Sequence, residues 1–531
     1  MAAEARRKKP TAVFMAFGTK GDVYPISAIA AAFASDQRHY DVAFVTHSAH
    51  EQKGKLDIHS LQGKENLKGH LGAKGVDYFP IYSPPSFSLS DTGGSEEEYF
   101  SLQKKEITRK HRQECVSVFE RIYGEGPITD GDLIIMNFFA LEGWSLAELF
   151  NIQCVVAAPY VVPYSAPSSF ERQFRHELPL LYKYLREAPV GKIGWNDVIH
   201  WMWPLFTEEW GTWRSHDLQL SFWPFTDPVT DLPTWHVRPS SPLLLYGFSQ
   251  EIVECPGYWP SSVRVCGFWF PPVDWQFSCP TCAEISSLIS LRKLNAENEL
   301  CSIHVKLKEF LDSSAERPIF LSLSSVGSMG YLKNPEAFLR VLGNVLNITN
   351  HRFILLTAGY GPLDAAIRRY AQTPSATEQM GSSEIQNCLF DGRLFCFSGA
   401  IPYSWLFPRC AAAIHHGGSG STAAALHTGT PQIICPFILD QFYWAERMFW
   451  LGVAPEPINN ACTIPDKDDD ETCISKAANV FVGAINYALS PKVKLRAAQI
   501  ADRLSTEDGV SAALQIIKKE ILCIDASNTS L

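Results

Sequence analysis

A short apolar run, Ala411–Ile414, breaks into His415-His416-Gly417-Gly418-Ser419-Gly420-Ser421-Thr422 and resumes as Ala423-Ala424-Ala425-Leu426. No other stretch narrows the choice of fold so far. A buried strand, a glycine turn and a helix in immediate succession belong to a layered α/β structure. Glycines let backbone approach an anion closely, and the helix start supplies unpaired N–H groups with a partial positive charge. A diphosphate is the natural guest. Ser421 and Thr422 add hydroxyl donors, His416 can donate to a phosphate oxygen, and Gly429 suits the residue just past the helix. The run is neither a Walker A loop nor a G-x-G-x-x-G fingerprint, and a tight turn that binds nothing is the alternative.

The same grammar occurs near residue 11. Thr11 to Phe17 is apolar and ends in Gly18-Thr19-Lys20-Gly21-Asp22. Pro25 then suits a first helical turn, and Ile26, Ile29, Ala30 and Phe33 share one helical face. Further strands are expected at Asp41–Thr46, Leu133–Met136 and Cys154–Ala157, with a helix near Trp144–Phe150. A second series begins at Pro318–Leu321 and continues at Phe353–Leu356, Leu394–Phe397 and Gln432–Pro436. Strands alternating with helices predict parallel sheets covered on both faces. At 531 residues the chain exceeds one core. Two α/β domains are therefore expected, at 1–275 and 317–505. Residues 276–316 connect them, and a C-terminal helix and tail occupy 506–531. Val510, Ala513, Leu514, Ile517 and Ile521 form a stripe that should dock that helix on a domain.

Polar residues at the ends of these strands are the candidates for chemistry. Asp22 can take a proton from a hydroxyl acceptor, or it can close a local turn. His47 ends its strand as an assisting group or as a structural histidine. Asp440 and Gln441 follow Phe437 at a strand's carboxyl end, where open α/β sheets bind ligands. Both can hold sugar hydroxyls, with a helix cap as the rival role for Asp440. Ten of the fourteen tryptophans lie between Trp195 and Trp275. They read as core packing or as the lining of an apolar acceptor cleft.

Composition removes other classes. The formal net charge is -10, and Arg6-Arg7-Lys8-Lys9 is the one basic cluster, so nucleic-acid binding is not expected. That cluster has no apolar segment behind it and does not read as a signal peptide. No apolar run approaches the ~18 residues of a membrane span. The fourteen scattered cysteines fit reduced thiols and a cytoplasmic location. Cys279 and Cys282 have metal-ligand spacing without a second ligand pair, and the acidic run Asp466–Glu471 reads as a solvated loop. No metal and no cofactor are expected.

Taken together, the motifs resemble those of the sterol 3-β-glucosyltransferases and their bacterial antibiotic-glycosylating relatives. The resemblance runs from about Ala12 to about Leu504. It rests on Gly18-Thr19-Lys20-Gly21-Asp22-Val23-Tyr24-Pro25, Thr46-His47, Leu245-Tyr246-Gly247-Phe248-Ser249 and Val265-Cys266-Gly267-Phe268-Trp269. Ile401-Pro402-Tyr403-Ser404-Trp405-Leu406-Phe407-Pro408, the His-His-Gly-Gly run and Pro436 through Gln441 complete it.

This resemblance implies the GT-B fold, two Rossmann-like domains facing a cleft, with the acceptor on the first and UDP-glucose as co-substrate on the second. It implies that Ser325, His416, Gly418, Ser419, Gly420, Ser421 and Thr422 hold the diphosphate. Trp405 would flank the uracil, and Asp440 and Gln441 would hold the sugar. Asp22 is the implied general base, presented by Gly18, Thr19, Lys20 and Gly21. A single displacement would invert an α-linked donor to a β-glycoside on a lipophilic hydroxyl acceptor, with membrane contact no more than peripheral. Lys20 and Tyr24 stand where the family usually shows Arg and Gln, Tyr403 replaces a frequent His, and Ser322-Leu323-Ser324-Ser325 replaces Gly-x-Gly-Ser. The lipid-targeting domains that precede the catalytic region in fungal members have no counterpart in this sequence. A nucleotide-sugar epimerase and a non-catalytic nucleotide or lipid binder are the competing classes.

Overall fold

The computed structural model describes residues 9–50, 67–84, 97–124, 129–160, 166–277, 282, 285, 304–323, 326–327, 329–372, 388–458 and 471–523. Described residues up to Phe270, together with those from Glu507 onward, form one compact unit, and those from Pro271 to Thr506 form another.

In the first unit the apolar runs become β1 (Thr11–Met15), β2 (Asp41–His47), β3 (Val76–Ile81), β4 (Leu133–Met136), β5 (Gln153–Ala158), β6 (Leu243–Tyr246) and β7 (Val263–Val265). They make one sheet in the order β3-β2-β1-β4-β5-β6-β7, parallel throughout. β1 and β4 are wholly buried, as continuous apolar strands covered on both faces must be. The Lys20–Asp36 helix lays Ile26, Ile29, Ala30 and Phe33 into the core, the face read from the sequence.

The second unit contains β8 (Ile319–Ser322), β9 (Phe353–Leu356), β10 (Cys388–Leu389), β11 (Leu394–Phe397), β12 (Ala412–His415) and β13 (Gln432–Ile434). Their order is β10-β11-β9-β8-β12-β13, and only the short β10 is antiparallel. The Val305–Asp312 helix lies within the segment read as a connection. It packs against β11 through Phe310, whose ring lies 5.3 Å from that of Phe395.

In both sheets the strand order reverses beside the first strand, between β1 and β4 and between β8 and β12. At such a switch point, consecutive crossovers leave towards opposite faces and a crevice opens at the carboxyl ends of the strands. The glycine turns follow β1 and β12, so both lie at switch points.

The C-terminal helix, Gly509–Glu520, docks on the first unit. Asp508 caps it by accepting from Ser511 N at 3.0 Å, and its buried stripe is Ala513, Leu514 and Ile517. Ion pairs Lys518–Asp36 (3.1 Å) and Arg264–Glu520 (2.7 Å) flank it, and Ser249 donates to Glu507 at 2.5 Å.

Candidate active site

At the first switch point the chain leaves β1 through Phe17 and turns at Gly18, whose φ is +112°. A side chain at Gly18 would meet the Asp22 carboxylate at 2.5 Å, so glycine is required by contact as well as by conformation. Asp22 Oδ2 accepts from Thr19 N (2.6 Å) and Thr19 Oγ1 (2.8 Å). These bonds form a capping box at the start of the Lys20–Asp36 helix, so the local role present is a helix cap rather than the turn expected. Oδ1 meets no donor among the described residues. Burial pushes the Asp22 pKa up to about 6, and the two Thr19 bonds hold it back from rising further. A half-buried carboxylate titrating there is ionised at neutral pH and remains a competent base. Thr19 and Lys20 are exposed, and Gly21 is half-buried.

Two residues unmarked in the sequence hold this loop. Asn137, the first residue beyond β4, is fully buried. Its Oδ1 accepts from Phe17 N (3.2 Å), while Nδ2 donates to Phe17 O (2.8 Å) and points at Asp22 O (3.5 Å). His50, beyond β2, places Nε2 3.2 Å from Gly18 O and so donates to it. Asn137 carried the same signal that singled out Asp440, a polar residue terminating an apolar strand; His50 carried none.

His47 is buried, with its ring 4.6 Å from Phe17 and stacked on His111 at 5.2 Å. Burial, helped by His111 and His50, pushes its pKa down to about 3, so it is neutral at physiological pH. Its Nδ1 is sealed from solvent without a partner among the described residues. His111 comes from the middle of the Glu97–Tyr123 helix and lies 3.8 Å from the buried Glu142 carboxylate. Helical periodicity hid it. Of the tryptophan-rich segment, Trp195, Trp201, Trp213, Trp269 and Trp275 are core residues, whereas Trp235 is 44% exposed. The packing role therefore holds for at least half of the cluster.

At the second switch point β12 delivers two adjacent histidines to different tasks. His415 is buried; its Nδ1 accepts from Gly417 N (3.0 Å) and its Nε2 donates to Gln432 Oε1 (2.9 Å). Those partners fix a neutral tautomer, and burial pushes its pKa down to about 3. The turn at Gly417 has φ +89°, and a Cβ there would strike Ile434 at 2.8 Å. His416 folds over the helix start instead: a Cβ on Gly418 would lie 2.6 Å from its Nε2. Burial pushes the His416 pKa down to about 4, so it meets a ligand as a neutral donor.

Gly418 caps the Ser419–His427 helix with extended backbone, and the first intrahelical bond is Thr422 N to Gly418 O (3.0 Å). The N–H groups of Ser419, Gly420 and Ser421 thus lack a helix partner. Nothing lies within 4 Å of a Cβ built on Gly420, so the approach there is open. Ser421 is half-buried and bonds the Tyr403 hydroxyl, which also bonds Ser322. Tyr403 stacks on Phe407 at 4.6 Å and ties β8 to the helix start. Thr422 is wholly buried, and its Oγ1 has no partner among the described residues. Its hydroxyl has no exposed surface, so of Ser421 and Thr422 only Ser421 is partly exposed.

Beyond β13, Gln441 Oε1 accepts from Phe437 N (2.9 Å) and Ile438 N (3.2 Å), which spends its carbonyl on the loop and leaves the amide N–H groups for a ligand. Asp440 begins the Gln441–Leu451 helix without capping it; its Oδ2 accepts from Trp444 Nε1 at 3.0 Å. Just before Asp440 the chain takes a positive φ of 54° at Leu439. Trp405 is half-buried under the Arg409 guanidinium, 4.2 Å above its ring. Ser325, Ser324, Cys279 and the Asp468–Asp470 pair lie outside the described residues. Cys282 instead pairs with His304 Nδ1 at 3.1 Å. Among the described residues no group of three or more ligating side chains could hold a metal, and no helix is long and apolar enough to cross a membrane.

Residues 394–508 match the family model of the erythromycin biosynthesis protein CIII-like, C-terminal domain. The chain is 25% identical over 519 residues to sterol 3-beta-glucosyltransferase UGT80A2 of Arabidopsis thaliana, covering 96% of this chain and 65% of that protein. It is 22% identical over 512 residues to a sterol 3-beta-glucosyltransferase of Neosartorya fischeri, of which it spans 29%. Among solved structures, the glycotransferase of kitacinnamycin superposes with a TM-score of 0.55 at 13% identity, over 97% of this chain and 100% of that one. CalG4, the calicheamicin glycosyltransferase, gives 0.53 at 13% identity over 97% and 99%. The chain therefore has the GT-B fold, is similar in sequence to sterol 3-beta-glucosyltransferases, and over residues 394–508 matches the EryCIII-like C-terminal domain.

Proposed function

We propose that this protein is an inverting UDP-glycosyltransferase that moves glucose from UDP-glucose to the hydroxyl of a lipophilic acceptor, a sterol. The observation that carries the reading is the helix start at Gly418–Ser421, with three N–H groups that have no partner among the described residues, an open approach at Gly420 and the His416 ring folded over it. Such a start favours a diphosphate, and it offsets the charge of departing UDP when the anomeric C–O bond breaks. Gln441 supplies amide N–H groups to the sugar, beside the Asp440 carboxylate. In the first unit, Asp22 accepts the acceptor's hydroxyl proton as its oxygen attacks the anomeric carbon from the opposite side. The sterol as acceptor is supported by the names of the homologues.

The test uses radiolabelled UDP-glucose with a panel of sterols, read by chromatography of the lipid-soluble products. A β-linked steryl glucoside is expected. UDP-sugar isomerisation without acceptor product would replace the reading by an epimerase, and UDP binding without any turnover would replace it by a binder.

A further inference from the structure

Asp22 lies in the first turn of the Lys20–Asp36 helix, at the end of a segment that leaves the sheet after β1. The segment's internal ties are the pair of Thr19 bonds to the Asp22 carboxylate and the backbone bond from Asp22 N to Thr19 O (3.0 Å). The remaining hold comes from neighbouring strand ends. His50 ties Gly18 O from the β2 side. From the β4 side, one fully buried amide reaches both ends of the segment, at Phe17 and at Asp22. The Asn137 backbone is itself locked to β1, with its N–H donating to Met15 O at 3.1 Å. The amide has one orientation that satisfies these groups: turned over, it would set oxygen against the Phe17 carbonyl and N–H against the Phe17 N–H.

We infer that Asn137 is the positioning residue for Asp22: its side-chain amide, anchored at the end of β4, sets the loop that aims the carboxylate at the acceptor hydroxyl. The inference rests on the transferase reading for Asp22 and names the residue on which its aim depends. An isosteric carboxylate would not serve. It could accept from Phe17 N, but its second oxygen would face the Phe17 and Asp22 carbonyls with no proton to offer. Misplacement by about 1 Å is enough to cost roughly 10²-fold in rate.

The substitutions are Asn137→Asp, which keeps the volume, and Asn137→Ser, which keeps a donor but shortens the reach. Both are studied in the full chain. First, hydrogen exchange of the Thr19 amide, which Asp22 protects, is followed by mass spectrometry of peptides covering 17–22. Exchange should accelerate by about tenfold or more in N137D while calorimetric UDP affinity stays within about twofold. Unchanged Thr19 protection overturns the inference. This arm needs no turnover, so it decides the matter even if no acceptor is glucosylated, a result that would sink only the transferase reading. Second, in the transfer assay N137D should lower kcat by about 10²-fold with the UDP-glucose KM unchanged. Added to Asp22→Asn, it should change the residual rate by less than about threefold, because both act through one carboxylate. Additive losses, or a UDP affinity that falls in step with melting temperature, would show a merely structural asparagine and overturn the assignment. The other ionisable groups at the loop, Lys20, His47, His50 and His111, are left in place in every variant, so they cannot account for a difference between them.

Discussion

The two switch-point turns are built from the same grammar but divide their polar groups in opposite ways. After β1, nearly everything is used internally: Thr19 occupies Asp22 Oδ2, His50 occupies Gly18 O, and Asn137 occupies both polar groups of Phe17. One oxygen, Asp22 Oδ1, is left over among the described residues. After β12, the buried His415 holds the turn from inside and Tyr403 ties the Ser421 hydroxyl to Ser322, while the N–H groups of Ser419, Gly420 and Ser421 lack a helix partner and the His416 ring lies over the helix start. On the proposed function, one site is a single base held by a tight scaffold and the other an anion cradle made mostly of backbone. Side-chain substitutions should be decisive at the first and graded at the second.

The largest effect is expected at Asp22. Asp22→Asn keeps an oxygen for the Thr19 bonds and removes proton acceptance, so transfer should fall by about 10²–10⁴ while UDP-glucose still binds. Its folded pKa, about 6 against the ordinary 3.8 of an aspartate, lies above that of the unfolded chain, so ionised Asp22 costs stability, and that cost grows as pH rises from about 4 to 6. The Asn variant should consequently melt no lower than wild type at neutral pH. A variant that keeps most of its turnover would reduce Asp22 to a helix-capping residue. The pH profile comes next: wild-type transfer should drop about tenfold per unit below about pH 6 as Asp22 protonates, and the Asn variant's residual rate should show no such limb.

The adjacent histidines sharpen the contrast within the second turn. His415→Ala strands Gly417 N and Gln432 Oε1 in the interior, each worth about 1–3 kcal/mol, and should show chiefly as a lower melting temperature. His416→Ala removes one neutral donor, worth about 0.5–1.5 kcal/mol, so UDP should bind about 3- to 10-fold more weakly with melting unchanged. If the two variants exchange phenotypes, the division of labour drawn here is wrong. The smallest effect should be that of EDTA, because the helix start and His416 offset the leaving-group charge. Strong inhibition restored by Mn²⁺ would bring in the acidic residues Asp468 and Asp470.

Much of this arrangement was legible in the residues. Both glycine turns, the helical face of Ile26, Ile29, Ala30 and Phe33, and the wholly apolar central strands announce themselves because burial on two faces leaves no polar alternation. β3 did not, since Asp77 and Pro80 interrupt it, and β7 has only three residues, all half-buried. His416 was singled out as the donor from sequence, but the inward role of His415 was not, because it follows from strand register. Asn137, His50 and His111 were illegible as a group. Their meaning comes from the order β2-β1-β4, which brings residues far apart in the chain to one crevice.

Calorimetric titration of the full chain with UDP and with uridine isolates the diphosphate's share of binding. The cradle after β12 predicts one site for UDP, at least about tenfold tighter than for uridine, with the gap narrowed in His416→Ala. Uridine binding as tightly as UDP, or a gap that His416→Ala leaves untouched, would contradict the assignment of the Gly418–Ser421 helix start as the seat of the leaving group.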